Sequence, residues 1–182
     1  MKGKVAFITG GSKGIGYGIA ESLAQEGVHS VLTSRTQANA DKAAKAISEK
    51  YKVKCLGIEA DVRDYKAVKS AVDRAEDAFG QIDYVIANAG LGHFGSVEDL
   101  KVEQWQEVID TNLSGVFYTI KSSVEALKKT KGYFISISSL AGENFFAGGS
   151  AYNASKFGVT GFTQAVMLDL RQKGVNVSTI MP

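Results

Sequence analysis

The sequence predicts an α/β protein in three layers: a doubly wound parallel sheet with helices on both faces. Short apolar runs rich in β-branched residues recur along the chain, and the segments between them carry apolar residues three or four positions apart. The runs do not alternate apolar with polar residues, so we expect strands that are buried on both faces. A strand followed by a helix, repeated, is typical of a parallel sheet.

The strands and helices are predicted in order. The strands are expected at residues 4–9, 29–34, 53–59, 82–87, 132–138 and 175–181. The helical stripes between them are Ile15, Ile19 and Leu23; Ala43, Ala44 and Ile47; Val68, Val72 and Phe79; Val108, Leu113, Phe117 and Ile120; and Phe162, Val166 and Leu170. Gly27, Gly80 and Gly174 each stand between a helical segment and a strand, where a left-handed residue commonly ends a helix. No linker or repeat divides the chain, so we expect residues 1–182 to form a single domain.

The composition narrows the function classes. The formal charge is +2, from 21 basic and 19 acidic residues without a basic run, so nucleic acid is not an expected partner. The one cysteine, Cys55, cannot form an intramolecular disulfide and is expected to be an inert buried thiol. We find no leader or long apolar span and expect a cytoplasmic protein without a membrane segment. His29 and His93 lack metal-ligand spacing, so no metal is expected, although His93 could edge a cofactor pocket.

The segment "TGGSKGIG", residues 9–16, follows the first strand and opens the first helix. Gly10 permits a tight turn, Gly14 allows a pyrophosphate to approach the backbone, and Gly16 lets the helix pack closely on the strand. Amide groups at the helix start would then face an anion. The spacing departs from the G-x-G-x-x-G fingerprint, and a purely structural turn is the alternative. The flanking strand and helix favour a nucleotide-binding turn.

The end of the second strand bears on which dinucleotide is bound. NAD sites usually place a carboxylate there, which accepts from the ribose 2′-hydroxyl. This chain has Thr33, Ser34 and Arg35 instead. Arg35 together with Lys13 suits a 2′-phosphate, which predicts NADP rather than NAD. The alternative is that both are solvated surface cations.

The stretch "YNASKF" places Tyr152 four residues before Lys156 on a predicted helix. A free phenol has a pKa near 10 and needs help to exchange protons at neutral pH. Residues four apart share a helix face, so the Lys156 ammonium can stabilise a phenolate. The spacing alone is a weak signal, because Tyr65 and Lys69 repeat it. Ser139, thirteen residues before Tyr152, has no counterpart before Tyr65 and distinguishes the two pairs.

These features occur together with further motifs. The chain resembles the short-chain dehydrogenase/reductase family through its glycine turn at 9–16, "ADV" at 60–62, "ANAG" at 87–90, "TNLSG" at 111–115, "SISS" at 136–139, and Tyr152 with Lys156. The resemblance implies a Rossmann-type sheet with strand order 3-2-1-4-5-6. It also implies a continuation past Pro182, so we expect a C-terminally incomplete domain that lacks the usual last strand and substrate lid.

Side-chain chemistry and the resemblance together assign catalytic roles. Tyr152 would donate a proton to the carbonyl oxygen during reduction and remove it during oxidation, while Ser139 orients and polarises that carbonyl. The resemblance implies that Lys156 holds the nicotinamide ribose and that Asn112 anchors a water linking Lys156 to bulk solvent. Ser138 is the competing serine, and Asn112 could instead cap a helix or turn.

Cofactor contacts are expected along the sheet edge. Asn88 and Gly90 are expected to stabilise the sheet and admit the cofactor. Asp61 and Val62 resemble adenine contacts, although Asp61 could equally be a loop carboxylate. The complete predicted set is Gly10, Ser12, Lys13, Gly14, Ile15, Gly16, Ser34, Arg35, Asp61, Val62, Asn88, Ala89, Gly90, Tyr152, Lys156 and Pro182.

The sequence therefore predicts an NADP-dependent oxidoreductase that transfers hydride between NADP(H) and a carbonyl compound or secondary alcohol. A non-catalytic dinucleotide-binding sensor or assembly subunit is the alternative, although binding alone requires no proton donor. The resemblance further implies that helices at 103–129 and 151–173 pair in a homodimer or homotetramer. No substrate more specific than a ketone or secondary alcohol is predicted.

Overall fold

The computed structural model describes residues 1–182. Its strands are β1 Val5–Ile8, β2 His29–Ser34, β3 Cys55–Glu59, β4 Tyr84–Ala87, β5 Tyr133–Ile137 and β6 Asn176–Ile180. Its helices are α1 Gly14–Gln25, α2 Gln37–Tyr51, α3 Tyr65–Phe79, α4 Val102–Ile109, α5 Gly115–Thr130 and α6 Ser150–Leu170. The strands form one parallel sheet in the order β3-β2-β1-β4-β5-β6, which confirms the predicted fold class and strand order.

The connectivity of the sheet creates a crevice at the end of β1. This strand pairs with β2 on one side and with β4 on the other, so that Phe7 lies opposite both Val31 and Val85. The chain runs from β1 outward to β2 and β3 and then returns to β4. Loops that follow β1 and β4 therefore leave the sheet toward opposite faces, and ligands of doubly wound sheets bind between such loops.

Two hydrophobic cores lie on opposite faces of the sheet. Successive residues of a strand point to opposite faces. Phe7 packs in a cluster with side chains of α3, α5 and α6, whereas Ile8 packs in a second cluster with side chains of α1 and α2. Both residues are fully buried. The central strand is thus covered on both sides, as the unalternating apolar runs predict.

The buried face of α1 agrees in part with the predicted stripe: Ile19 and Leu23 pack against the core, whereas Ile15 does not. The most deeply buried residues of the helix are three small ones, Gly16, Ala20 and Ala24. A Cβ atom on Gly16 would lie 2.6 Å from the Gly10 carbonyl oxygen and closer still to the Asn88 amide nitrogen. The helix start therefore lies too close to the neighbouring loops for a larger side chain, and Ile15 remains 52% exposed.

The segment predicted as one helix at 103–129 is interrupted. A π-helical turn at Asp110–Ser114 separates α4 from α5, and the Gly115 amide donates to the carbonyl five residues earlier instead of four. Phe117, which the apolar stripe places in the core, is half-exposed, and its ring packs edge-on against Phe162 of α6 with centroids 6.1 Å apart. The extra residue of the π turn rotates α5 relative to α4, which the spacing of apolar residues did not reveal.

The glycines predicted to end helices adopt the expected left-handed conformation. The φ angles of Gly27, Gly80 and Gly174 are 76°, 75° and 76°. Each turns the chain from a helix into the next strand, which confirms the three predicted boundaries.

Candidate active site

A cavity of about 650 Å³ runs along the carboxyl edge of the sheet. The predicted cofactor residues that line it are Gly10, Ser12, Lys13, Gly14, Ile15, Ser34, Arg35, Asp61, Val62, Asn88, Ala89, Gly90, Tyr152 and Lys156. Gly16, Asn112, Ser139 and Pro182 do not line it. Pro182 is exposed, and its carbonyl accepts a hydrogen bond of 3.3 Å from the Leu140 amide.

Several lining residues were not predicted: Ala60, Leu91, Gly92, Phe94, Thr111, Ile137 and Ser138. Leu91 and Gly92 directly follow the "ANAG" motif, and this adjacency was a signal that could have identified them. Phe94 had no such signal, because only the tertiary structure brings its ring to 5.6 Å from the ring of Tyr152, centre to centre.

The glycine turn leaves its backbone uncovered toward the cavity. Gly10 and Gly14 have φ angles of 63° and 57°, which favour glycine. A Cβ atom on Gly10 would lie 2.9 Å from Ala89 Cα, while Gly14 has open space where a Cβ would be. The turn also lies at the N-terminus of α1, whose free amides attract an anion. These features fit a dinucleotide pyrophosphate.

Asn88 joins the loops after β1 and β4. Its Nδ2 donates to the carbonyls of Thr9 at 2.9 Å and Gly10 at 3.2 Å. The Thr9 hydroxyl in turn accepts from the Asn88 amide at 3.0 Å and the Ala89 amide at 3.1 Å. Asn88 therefore holds the glycine turn in place at the point where the strand order reverses.

A second hollow, of about 620 Å³, adjoins the cavity between α1 and α2. Lys13, Arg35 and Lys42 line it, no carboxylate does, and none of the three cations forms an ion pair. Ser12 and Ser34 lie on its floor, with their hydroxyl oxygens 3.2 Å apart. Lys42 was missed in the sequence because only the packing of α2 brings it beside Arg35. The hollow has the charge that a phosphate group requires.

Asp61 lines the cavity and also belongs to a chain of charged groups on its rim. Arg63 donates to Asp61 at 2.6 Å, and it also lies 3.4 Å from one carboxylate oxygen of Glu107. The other carboxylate oxygen of Glu107 lies 2.8 Å from His93 Nε2. The hydrogen bond from Arg63 lowers the pKa of Asp61, and the hydrogen bond to His93 lowers the pKa of Glu107. His93 itself does not line the cavity.

Tyr152 and Lys156 lie on one face of α6. Lys156 is 4% exposed, and its Nζ donates to the carbonyl of Ile137 at 2.8 Å. The same nitrogen lies 5.6 Å from the centre of the Tyr152 ring. Burial lowers the pKa of Lys156 from 10.5 to about 8. The fold thus holds a lysine that is still mostly charged at neutral pH beside the phenol.

The buried Asn112 lies in the π-helical turn and joins two parts of the site. Its Oδ1 accepts from the Leu91 amide at 2.8 Å, and its Nδ2 donates to the Leu91 carbonyl at 2.8 Å and to Ser155 Oγ at 3.0 Å. The side chain therefore connects the loop after β4 to α6 and does not cap a helix. π-helical turns frequently occur at functional sites.

The two neighbouring serines have different surroundings. Ser138 is buried, and its hydroxyl bonds to the Lys156 carbonyl and the Thr160 hydroxyl, both at 3.1 Å. Ser139 is partly exposed, and its oxygen accepts from the Ala141 amide at 3.2 Å. The Ser139 proton has no acceptor in the protein, so this hydroxyl remains able to donate to a ligand.

No group of three or more histidine, cysteine or acidic side chains could hold a metal ion. Cys55 opens β3 instead of lying within it, and burial raises the pKa of its thiol to about 12. No helix has both the length and the apolar character needed to span a membrane.

Curated relatives match the chain along its whole length. It is 35% identical to an uncharacterized oxidoreductase of Staphylococcus saprophyticus, covering 100% of this chain and 78% of that protein. It is 33% identical to the 3-oxoacyl-acyl-carrier-protein reductase of Escherichia coli, with coverage of 100% and 73%. Its identity to the trans-4-hydroxycyclohexanecarboxylate dehydrogenase of Sinomonas cyclohexanicum is 34%, with coverage of 98% and 71%.

Solved structures of dehydrogenases have the same fold as this chain. An alcohol dehydrogenase from the archaeon Thermococcus sibiricus, complexed with 5-hydroxy-NADP, superposes with a TM-score of 0.95 at 31% identity, covering 98% of this chain and 75% of that one. Carveol dehydrogenase from Mycobacterium avium, in complex with NAD, has a TM-score of 0.94 at 30% identity, with coverage of 100% and 71%. The short chain dehydrogenase family model matches residues 4–182. The chain therefore belongs to the short-chain dehydrogenases, a family of oxidoreductases.

Proposed function

We propose that this chain is an NADP-preferring oxidoreductase that interconverts a carbonyl compound and a secondary alcohol, with Tyr152 as its acid and base. The observation that carries the proposal is the pairing of Tyr152 with the buried Lys156 in the same cavity as the glycine turn. A protein that only binds a dinucleotide has no need for a phenol beside a buried ammonium group. The reducing cytoplasm is the compartment we propose, since Cys55 has no partner cysteine.

Lys156 supports the chemistry of Tyr152 through its charge. Its pKa of about 8 leaves the amine mostly protonated at neutral pH. A positive charge in the same cavity would stabilise the negative charge that develops on the Tyr152 oxygen as its proton moves to the substrate. Tyr152 can therefore release its proton to the carbonyl oxygen during reduction and recover it from the alcohol during oxidation. A dinucleotide held at the glycine turn would supply or accept the hydride.

Ser139 and Asn112 complete the proposed catalytic group. Ser139 would donate its unpaired hydroxyl proton to the carbonyl oxygen and orient it toward Tyr152. Asn112 would hold the loop at Leu91 against α6 and anchor the water that returns protons to Lys156. Both roles follow the family resemblance. The unpaired proton of Ser139 supports the first role, and the hydrogen bonds of Asn112 to Leu91 and Ser155 support its position between the loop and α6.

The preference for NADP rests on residues of this chain. The two solved relatives carry 5-hydroxy-NADP and NAD, so membership of the family does not decide between the dinucleotides. Lys13, Arg35 and Lys42 line the hollow as three unpaired cations. Arg35 directly follows β2, where a carboxylate would favour NAD. We infer that a 2′-phosphate occupies this hollow.

The test removes a single oxygen atom. Tyr152→Phe should lower kcat for the reduction of 2-butanone with NADPH by about 100- to 10,000-fold, because the proton donor is lost. NADPH affinity, measured by fluorescence titration, should be retained because the ring remains. Tyr65→Phe is the matched control, since Tyr65 has the same four-residue spacing to a lysine but lies outside the cavity.

Two results would contradict the proposal. One is a wild-type chain that binds NADPH yet turns over no ketone, which would favour the sensor or assembly role. The other is a Tyr152→Phe variant with undiminished activity, which would remove Tyr152 from the chemistry. A chain that binds NADH more tightly than NADPH would overturn the cofactor preference alone.

A further inference from the structure

Two exposed aromatic rings lie one after the other beyond Tyr152: Phe94 lines the cavity and packs against Tyr152, and Phe146 packs against Phe94. Phe94 is 64% exposed and Phe146 is 47% exposed. The centre of the Phe94 ring lies 6.0 Å from that of Phe146 and 5.6 Å from that of Tyr152. The two phenylalanines come from different loops, one after β4 and one before α6.

We propose that Phe94 and Phe146 form an aromatic subsite that selects uncharged carbonyl compounds with an apolar ring as a substituent. The inference rests on the proposed function, because it requires the reacting carbonyl to lie at Tyr152. A substituent attached to that carbonyl would then contact Phe94, which adjoins Tyr152, and Phe146, which adjoins Phe94.

Glycines leave room for both phenylalanine rings. A Cβ atom on Gly92 would lie 2.6 Å from the Phe94 ring, and one on Gly149 would clash with the Phe146 ring. Each ring therefore rests directly on glycine backbone, in space that any other residue would fill. A hydrogen bond of 2.9 Å from the Gly95 amide to the Gly148 carbonyl joins the two loops.

Asn153, which follows Tyr152 in α6, holds the loop that carries Phe146 through hydrogen bonds. Its buried Nδ2 donates to the carbonyls of Ala141 at 2.9 Å and Asn144 at 3.0 Å. Its Oδ1 accepts from the Phe146 amide at 3.4 Å. The loop that carries Phe146 is thus attached to the same helix as Tyr152, which fixes the ring relative to the reacting group.

The charges of the cavity argue against an anionic substrate. Lys13 and Arg35 lie at the ends of β1 and β2. Strands are spaced about 4.8 Å apart, so β2 is about 14 Å from β5, where the aromatic end begins. Lys156 already donates to Ile137, and the nearest charged residue of the Phe146 loop is the acidic, exposed Glu143. Lys156, the cation that lines the cavity at this end, is 4% exposed, so a substrate carboxylate or phosphate would meet no exposed positive charge beside the two rings.

Three methyl ketones test the proposal with the purified chain and NADPH. 4-Phenyl-2-butanone carries a ring, levulinate carries a carboxylate, and 2-butanone carries neither. We expect kcat/KM for 4-phenyl-2-butanone to exceed that for each of the other two by about tenfold or more, the selectivity typical of an apolar pocket. Phe94→Ala and Phe146→Ala should each reduce this ratio at least about threefold, mainly through KM.

Phe145→Ala is the matched control. Phe145 belongs to the same loop, is 85% exposed and contacts no other aromatic ring, so its removal should leave the ratio unchanged. NADPH titration of every variant verifies that the dinucleotide site is folded.

The outcomes separate the two proposals. Turnover of levulinate equal to that of 4-phenyl-2-butanone would overturn the aromatic subsite while leaving the oxidoreductase function in place. An unchanged ratio in both phenylalanine variants would do the same. Failure of all three ketones in a chain that binds NADPH would instead overturn the proposed function and this inference with it.

Discussion

Lys156 is a cation that the fold has moved out of water. Transferring an ammonium group to the interior disfavours its charged form, and one backbone hydrogen bond to Ile137 compensates only part of that cost. The pKa of about 8 is the result. The residue is therefore charged at neutral pH but loses its proton only a little above it, so its function should depend on pH.

We expect ketone reduction to slow as the pH rises through about 8. Above this value Lys156 becomes neutral, and the positive charge that supports proton transfer at Tyr152 is lost. The measurement is kcat for 2-butanone at saturating NADPH between about pH 6 and pH 10, a range that covers the titration of Lys156 on both sides of its pKa. NADPH affinity over the same range serves as the control. A kcat that is independent of pH up to about pH 10 would contradict the assigned role.

Arg35 should decide between the two dinucleotides. Arg35→Glu replaces an unpaired cation with the carboxylate typical of NAD sites. We expect NADPH affinity to fall by about 10- to 100-fold, the loss of a charge-assisted hydrogen bond, and NADH affinity to fall much less. Arg74→Glu makes the same change of charge on an exposed, unpaired residue of α3 outside both hollows. Equal losses for NADPH and NADH would refute the assignment.

At the scale of elements, α1 depends on one close approach. Gly16 lies against the Gly10 carbonyl and Asn88, so its lack of a side chain determines how near the helix comes to β1. Gly18, two residues later in the same helix, has nothing within 4 Å of its Cβ position. The two glycines therefore form a natural pair for comparison.

Gly16→Ala should destabilise the protein and weaken NADPH binding, because a Cβ atom would push α1 away from the glycine turn. We expect a loss of about 1–3 kcal/mol in the free energy of unfolding, as in other overpacked sites, measured by urea denaturation. Gly18→Ala should instead stabilise the helix by about 0.5–1 kcal/mol. Identical effects of the two substitutions would show that the close approach is unimportant.

At the scale of the whole molecule, we expect a homodimer or homotetramer that forms through α4, α5 and α6. α4, α5 and α6 carry exposed apolar side chains, namely Val102, Trp105, Phe117, Phe157, Met167 and Leu168. Single apolar residues are common on surfaces, but a group along paired helices suits an interface. The family resemblance implies that these helices pair in a homodimer or homotetramer, and we propose this assembly.

We expect light scattering to report a dimer or tetramer at micromolar concentration. Leu168→Asp should weaken assembly by about tenfold or more, since a carboxylate would be buried without a partner. Val97→Asp, the same kind of change in the exposed loop after β4, should leave the mass unchanged. A wild-type chain that is monomeric throughout would refute the proposal.

Properties that depend on neighbours along the chain could be predicted from the sequence. The strands, the three left-handed glycines and the shared face of Tyr152 and Lys156 follow from local spacing, because backbone geometry relates residues a few positions apart. The predicted strand ends differ from the observed ones by two residues at most. They differ because residues such as Val53 continue the apolar pattern without pairing in the sheet. The glycine turn was recognised because a strand and a helix flank it.

Other properties were decided by contacts between distant segments. Asn88 and Gly10, far apart in sequence, determine that α1 buries small residues and leaves Ile15 exposed. The position of α2 brings Lys42 into the same hollow as Arg35, and two separate loops bring Phe94 against Tyr152 and Phe146 against Phe94. The amino-acid sequence by itself determined the fold class, the glycine turn and the pairing of Tyr152 with Lys156. Only the tertiary structure decided the depth of Lys156, its pKa and the walls of the cavity, because burial depends on every segment that packs around a residue.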